Sequence, residues 1–353
     1  MGQHAESYRI TIRFPWIDAI WMKRLGDAQI WEERDPLAMP PELHQFCLRK
    51  AYQLNFDTGC LLCVTREEGR YTLTHAIPVT IASLTRPTPP PGGLNFGADP
   101  EFILSRFQHP LIAAHYVPRH NWIGTDTLRI SADKQIPALV ELRPNAQRHP
   151  HGLLKELAQL IHLLDDYIVD DSIHFIAGSM PFPGVALGGH VHVSGIWPEV
   201  DLIRVLDNYL ALPLALCEWA DQPKSRRPRY GQLGDVRFQS HGGFEYRTCP
   251  SWLEHPDYAA GVLELVAFYC ENYSLFQYRW LSDSRIIEAF YQADPAYLAP
   301  IAQLIWEELW HWRHLVSNFE AIEQLFQRIL AQTKWSRTVD FRINWREIDK
   351  KML

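Results

Sequence analysis

Apolar and polar positions alternate in YRITIRF (8–14) and again in YTLTHAIPVTIASL (71–84), and the period of two predicts strands, with a less regular region between them. RPTPPPGG (86–93) then breaks the pattern: its prolines stiffen the chain and its two glycines release it. Beyond it come short strand candidates, EFIL (101–104), PALVELR (137–143), HFIAGSM (174–180), GGHVHVS (188–194) and GFEYRTC (243–249). Helical spacing appears between them. Leu153, Leu157, Leu160, Leu164 and Ile168 form one stripe, and VDLIRVLDNYLALPLALCEWA (200–220) reads as a helix interrupted near Pro213. From 258 onward three apolar helical patterns follow, whose Trp and Tyr residues read as core. The predicted fold class is α+β. It has an N-terminal α/β addition (1–85), a linker (86–94), a curved and mainly antiparallel sheet with outer helices (95–255), and a helical C-terminal region packed on it (256–353).

The strand candidates carry polar residues where apolar ones are expected. Asp99 and Glu101 flank Pro100, Glu141 and Arg143 flank Leu142, His190 and His192 flank Val191, and Glu245 and Arg247 flank Tyr246. A period of two places each pair on one strand face. Charges buried there must pair, meet water, or bind an ion or ligand. For any single pair an exposed face or a structural salt bridge suffices; four such pairs point to a site. Carboxylates with imidazole suit Mg²⁺ or Mn²⁺, and arginines beside them suit phosphate oxygens. Together they suggest phosphoryl transfer. The sequence contains no GxxxxGK[ST] loop, no GxGxxG fingerprint and no HExxH helix.

Composition narrows the class. Of 353 residues 47% are hydrophobic, enough for a sizeable core, and the formal charge of -7 argues against a nucleic-acid-coating surface. Six cysteines show no disulfide framework, and the lone CLLC (60–63) reads as ordinary buried thiols. Neither a signal peptide nor an apolar run of membrane-spanning length is evident, so a cytoplasmic protein without membrane or nucleic-acid partners is expected, with oligomerisation left open.

GADPEF (97–102), ELRP (141–144), GGHVH (188–192), RRPRYGQLGDVRF (226–238) and EYR (245–247) occur in an order similar to that of the amidoligases, a type 2, phage-associated carboxylate–amine ligase family of the glutamine synthetase superfamily. The resemblance spans roughly residues 95–255 and implies a glutamine-synthetase-like sheet. It implies an enzyme that uses ATP and Mg²⁺ (or Mn²⁺) to join a small-molecule or peptide carboxylate to an amine through an acyl phosphate. By the same resemblance Asp99, Glu101, Glu141, His190 and Glu245 hold metal. His192, Arg226, Arg229 and Arg247 meet the nucleotide, and Arg143, His192, Glu245 and Arg247 serve catalysis. Asp99 stands where glutamine synthetases carry Glu, and ELRP replaces a more glutamate-rich strand, which points to one metal fewer or a differently built second site. The residues alone leave Arg226 and Arg227 either over phosphates or solvating their loop, and Asp126 either a turn cap or a ligand. The 213–243 stretch is expected to close over the site. Two other readings compete: a metal-dependent hydrolase, and a non-catalytic nucleotide- or metal-binding protein on the same fold.

Overall fold

The structure is a computed structural model that describes residues 6–24, 31–56, 58–81, 92–129, 135–239 and 242–346. The proline run expected to form the linker lies outside them. The chain divides into two compact units, one of Met1–Thr88 with Pro198–Ile203, the other of Pro89–Trp197 with Arg204–Leu353.

The first unit is an antiparallel sheet in the order β3-β2-β1-β4-β5, made of β1 (Glu6–Arg13), β2 (Trp16–Arg24), β3 (Glu32–Arg34), β4 (Cys60–Glu67) and β5 (Arg70–Pro78). Tyr8, Ile10 and Ile12 bury one face of β1, against which α1 (Pro41–Gln53) packs through Leu43, Cys47, Leu48, Ala51 and Tyr52. The less regular stretch contains β2 and β4. β2 is apolar on both faces, which hides its alternation, and its pairing with β1 slips at Thr11/Ile12. Cys60 and Cys63 are an odd number of residues apart on β4 and therefore face opposite ways, so the CxxC is no chelate.

The second unit is built on an eight-stranded antiparallel sheet. Its path runs β12 (Val236–Gln239), β13 (Gly243–Tyr246), β11 (Gly189–Ser194), β6 (Asn95–Arg106), β9 (Gln135–Leu142), β8 (Ile123–Arg129). β7 (His109–Pro110) and β10 (Ile173–Ile176) also pair with β6. This is the α+β fold with a curved sheet that the polar pairs predicted. β6 is the organising strand: Phe102 and Leu104 are buried on one face, where Phe102 stacks on Phe175 of β10 at 5.1 Å and meets Phe341 edge-on at 5.2 Å. Asp99, Glu101 and Ile103 point to the other face. On the helical side α2 (Pro150–Tyr167) packs on β6 and on a long helix later in the chain.

The helix predicted over 200–220 comprises α3 (Val200–Leu206), a π-helical turn (Asp207–Ala211) and α4 (Leu212–Leu214). Pro213 has no N–H for the carbonyl of Tyr209, and that oxygen accepts the Tyr269 hydroxyl at 3.1 Å instead. After α5 (Asp221–Arg226), the C-terminal third is helical as expected: α6 (Pro256–Asn272), α7 (Ser284–Gln292), α8 (Pro295–Trp312), α9 (Phe319–Leu330) and α10 (Arg342–Trp345). α6 is the helix that α2 meets, and it also packs on α9. No helix of the described residues is long and apolar enough to cross a membrane.

Candidate active site

Strand register assembles the site. His190 lies opposite Asp99, His192 opposite Glu245, Glu101 opposite Glu141, and Arg237 opposite Glu245, all on one sheet face. Val191 and Val193, between and after the histidines, are fully buried behind them.

The centre is tight. Asp99 Oδ1 lies 3.0 Å from His192 Nε2 and 3.3 Å from His190 Nδ1, which is itself 3.3 Å from Glu245 Oε1. Glu245 is fully buried; it accepts hydrogen bonds from Arg247 and, at 2.9 Å, from Gln239, and pairs with Arg237 at 3.1 Å. Glu101 accepts the Gly188 N–H at 2.7 Å, and Arg143 grips Glu141 with two bonds of 2.9 and 3.0 Å.

Charge balance follows from burial. Burial works against the Asp99 charge, but the His190 and His192 imidazoles outweigh it and hold that carboxyl well below the usual carboxylate range. Burial also opposes an imidazolium at His192, yet the Asp99 carboxylate raises its pKa. Glu101 is pushed well above the ordinary value by burial and then by the Asp126 charge. Burial lifts Glu141 to about 7 against the pull of Arg143.

Asp99, His192 and Glu245 each offer a ligand atom within 4.8 Å of the others, a spacing a metal ion can bridge. Asp99 Oδ1 and His192 Nε2 are buried, and their 3.0 Å approach is not aligned as a hydrogen bond. Neither has a hydrogen-bond partner among the described residues. Two such atoms facing each other with a second carboxylate fit a divalent cation that takes oxygen and one imidazole nitrogen. This cluster contains His192, where the resemblance implied His190. His190 is directed instead between two of the cluster's carboxylates. Glu101 and Glu141 stand beside the cluster, paired with each other across β6 and β9.

The arginines divide. Arg143 and Arg237 line the cavity of about 430 Å³ over Asp99, His192 and Glu245. Arg247, one strand period beyond Glu245 and on the same face, donates to it. Arg226, expected at the phosphates, is fully buried instead, its guanidinium taken up by the carbonyls of Leu187 (3.0 Å), Thr248 (3.3 Å) and Cys249 (2.9 Å). It ties the entry to GGHVH to the exit from EYR and so positions both strands. Arg227 is buried against Glu218 and the Phe290 ring. Within the stretch expected to close over the site, Gln222, Pro223, Arg226 and Arg227 are buried, while Lys224 and Ser225 are exposed. Arg229 is exposed and lines a different cavity.

Three residues were missed or misplaced from sequence. Arg237 and Gln239 reach Glu245 because β12 pairs in register with β13, a pairing no local pattern announces. Asp126 sits within strand β8, not on a turn, and its charge acts on Glu101. Gly124 beside it leaves room for Arg143, whose Nη1 would lie 1.9 Å from any Cβ there.

A buried carboxylate–imidazole centre flanked by arginines thus stands on one face of an antiparallel sheet, with three ligand atoms spaced so that a metal ion could bridge them. Sequence comparison makes the class specific: the family described as phage phiEco32-like COOH.NH2 ligase-type 2 matches residues 96–347. The chain belongs to this family. Among solved structures it is similar to a bifunctional glutathione synthetase from Pasteurella multocida, at 12% identity and a TM-score of 0.40 over 73% of this chain and 49% of that one. It is also similar to PafA, the ligase of the prokaryotic ubiquitin-like protein Pup, at 11% identity and a TM-score of 0.47, over 73% of this chain and 67% of that one. The chain thus spans about half the length of the first of these. No curated protein matches the sequence.

Proposed function

We propose that the enzyme uses ATP to convert a small-molecule or peptide carboxylate into an acyl phosphate and then joins it to an amine, with Mg²⁺ or Mn²⁺ as cofactor and in a cytoplasmic setting. The observation that carries this is the Asp99–His192–Glu245 cluster sharing one cavity with Arg143 and Arg237.

Asp99, His192 and Glu245 would hold the cation, and His190 keeps two of these carboxylates in place through its Nδ1. A cation bound there would supply charge neutralisation for the nucleotide phosphates. Arg143, Arg237 and Arg247 supply charge to phosphate oxygens, where a planar guanidinium binds two at once. The carboxylate oxygen attacks the terminal phosphorus and ADP leaves; the amine then attacks the acyl carbon, inorganic phosphate leaves and a proton is released. Burial of Glu101, Glu141 and Glu245 keeps the floor of the site dry, which protects an acyl phosphate from water.

Hydroxylamine capture tests this. With ATP, Mg²⁺ and a panel of carboxylic acids, the expected result is a hydroxamate formed in step with ADP. Phosphate release or amide cleavage with no hydroxamate from any acid would replace the ligase mechanism with hydrolysis.

A further inference from the structure

We propose that the second cavity on this sheet face receives the amine substrate, and that this substrate is an α-amino acid with an aliphatic or aromatic side chain. The inference rests on the ligase reading above and deepens it.

Ile103 follows Glu101 by one strand period, so it continues the same face about 7 Å further along β6. There the character of the face changes. Ile103, Leu128, Leu139, Ile176, Val185 and Leu187 form one apolar cluster, and over it opens a cavity of about 360 Å³. Among its described lining residues one is charged, Arg229, and that side chain makes no ion pair with any described residue. The volume is on the scale of a small ligand. Apolar walls with one guanidinium unpaired among the described residues complement a molecule that presents a hydrocarbon group and a carboxylate.

Position decides which substrate this is. The carboxylate to be activated must reach Asp99, His192 and Glu245, and Ile103 lies four residues from Asp99, about 13 Å along the strand. A carboxylate held by Arg229 beside that apolar cavity is kept away from the phosphate and stays unreacted. A side chain seated over Ile103 leaves the α-amino group free to point back toward Glu101. Its lone pair attacks the acyl carbon, the C–N bond forms, the C–O bond to phosphate breaks, and inorganic phosphate leaves with the electron pair as the ammonium loses a proton. The product is an N-acylated apolar amino acid whose own carboxylate is free.

Calorimetry on the full chain with Mg²⁺ and a non-hydrolysable ATP analogue tests this, with leucine, phenylalanine, glutamate, lysine and leucinamide as probes. Leucine and phenylalanine should bind, and glutamate and lysine should not. Leucinamide, which lacks the carboxylate, should bind about 10- to 100-fold more weakly than leucine, the worth of hydrogen bonds to a charged partner. Arg229 is exposed, so Arg229→Gln keeps the fold and should abolish the difference between leucine and leucinamide. Ala138→Phe, checked for an unchanged unfolding midpoint, should fill the cavity and remove leucine binding. Failure of leucine and phenylalanine to bind, equal binding of glutamate, or a leucine preference that survives Arg229→Gln would overturn the proposal. So would a hydroxamate made from leucine itself, since leucine would then be the acid. Titration of the analogue and Mn²⁺ on the same samples reports the ligase centre separately: nucleotide binding without leucine binding removes only the amine site.

Discussion

Two adjacent glycines should fail in different ways when each gains one methyl group. A Cβ on Gly188 would stand 2.1 Å from His190 Nε2, the far end of a side chain, so the imidazole rather than the backbone must shift. A rotamer displaced by about 30° costs roughly 0.5–1.5 kcal/mol. A stiffer unfolded chain returns about 0.4–1 kcal/mol of that. These two terms nearly cancel, so Gly188→Ala should destabilise by about 1–3 kcal/mol, the cost of pulling the imidazole from its 3.3 Å contacts with the Asp99 and Glu245 carboxylates. Metal affinity should drop about 10- to 100-fold, as when a ligand loses its supporting partner. A Cβ on Gly189 would stand 2.3 Å from the Pro250 carbonyl and 2.5 Å from the fully buried Trp252 ring, neither of which can move cheaply. Overpacking costs about 1–3 kcal/mol, and the Trp252 bond to the Gly189 carbonyl adds about 1 kcal/mol if lost. Gly189→Ala should thus destabilise by roughly 2–4 kcal/mol. Urea unfolding and Mn²⁺ titration on both variants give the comparison. Equal destabilisation by the two, with metal affinity intact in Gly188→Ala, would refute the reasoning.

Glu218→Gln should cost about 3–5 kcal/mol by stranding the buried Arg227 guanidinium, and pairing it with Arg227→Met should recover much of that in urea unfolding. Arg247→Lys should keep the unfolding midpoint but lose most ATP-dependent turnover, because an ammonium lacks the two-pronged geometry; unchanged turnover would make Arg247 structural. Glu264 is raised from its ordinary 4.5 to about 7 by burial, so the folded chain holds a proton there that the unfolded chain has lost. Its stability contribution falls as pH rises between about 4.5 and 7, and Glu264→Gln should flatten the slope of the unfolding midpoint across that window.

The polar pairs were legible because a strand shows its face in every second residue: Asp99 with Glu101, and His190 with His192, need no partner to declare themselves. What crosses strands was not legible. Whether His190 or His192 completes the cluster depends on which one meets β13, and that is set by the register of His192 on Glu245. Arg226 read as a phosphate ligand because a charged pair in a Gly/Pro-rich stretch resembles a loop, whereas three carbonyls from distant strand ends absorb it. The interruption near Pro213 was legible from the missing N–H, but its π-helical form was not, since the hydroxyl that relieves Tyr209 comes from α6.

The account centres on a cation held by Asp99, His192 and Glu245 beside the nucleotide. Pulsed electron paramagnetic resonance of Mn²⁺, recorded on the full chain with a non-hydrolysable ATP analogue, addresses it most directly. The spectrum should show coupling to one directly bound imidazole nitrogen and to phosphate phosphorus, with the nitrogen signal lost in His192→Ala and kept in His190→Ala. Manganese bound with no nitrogen coupling in the wild-type chain, or with a signal that survives His192→Ala, would contradict it.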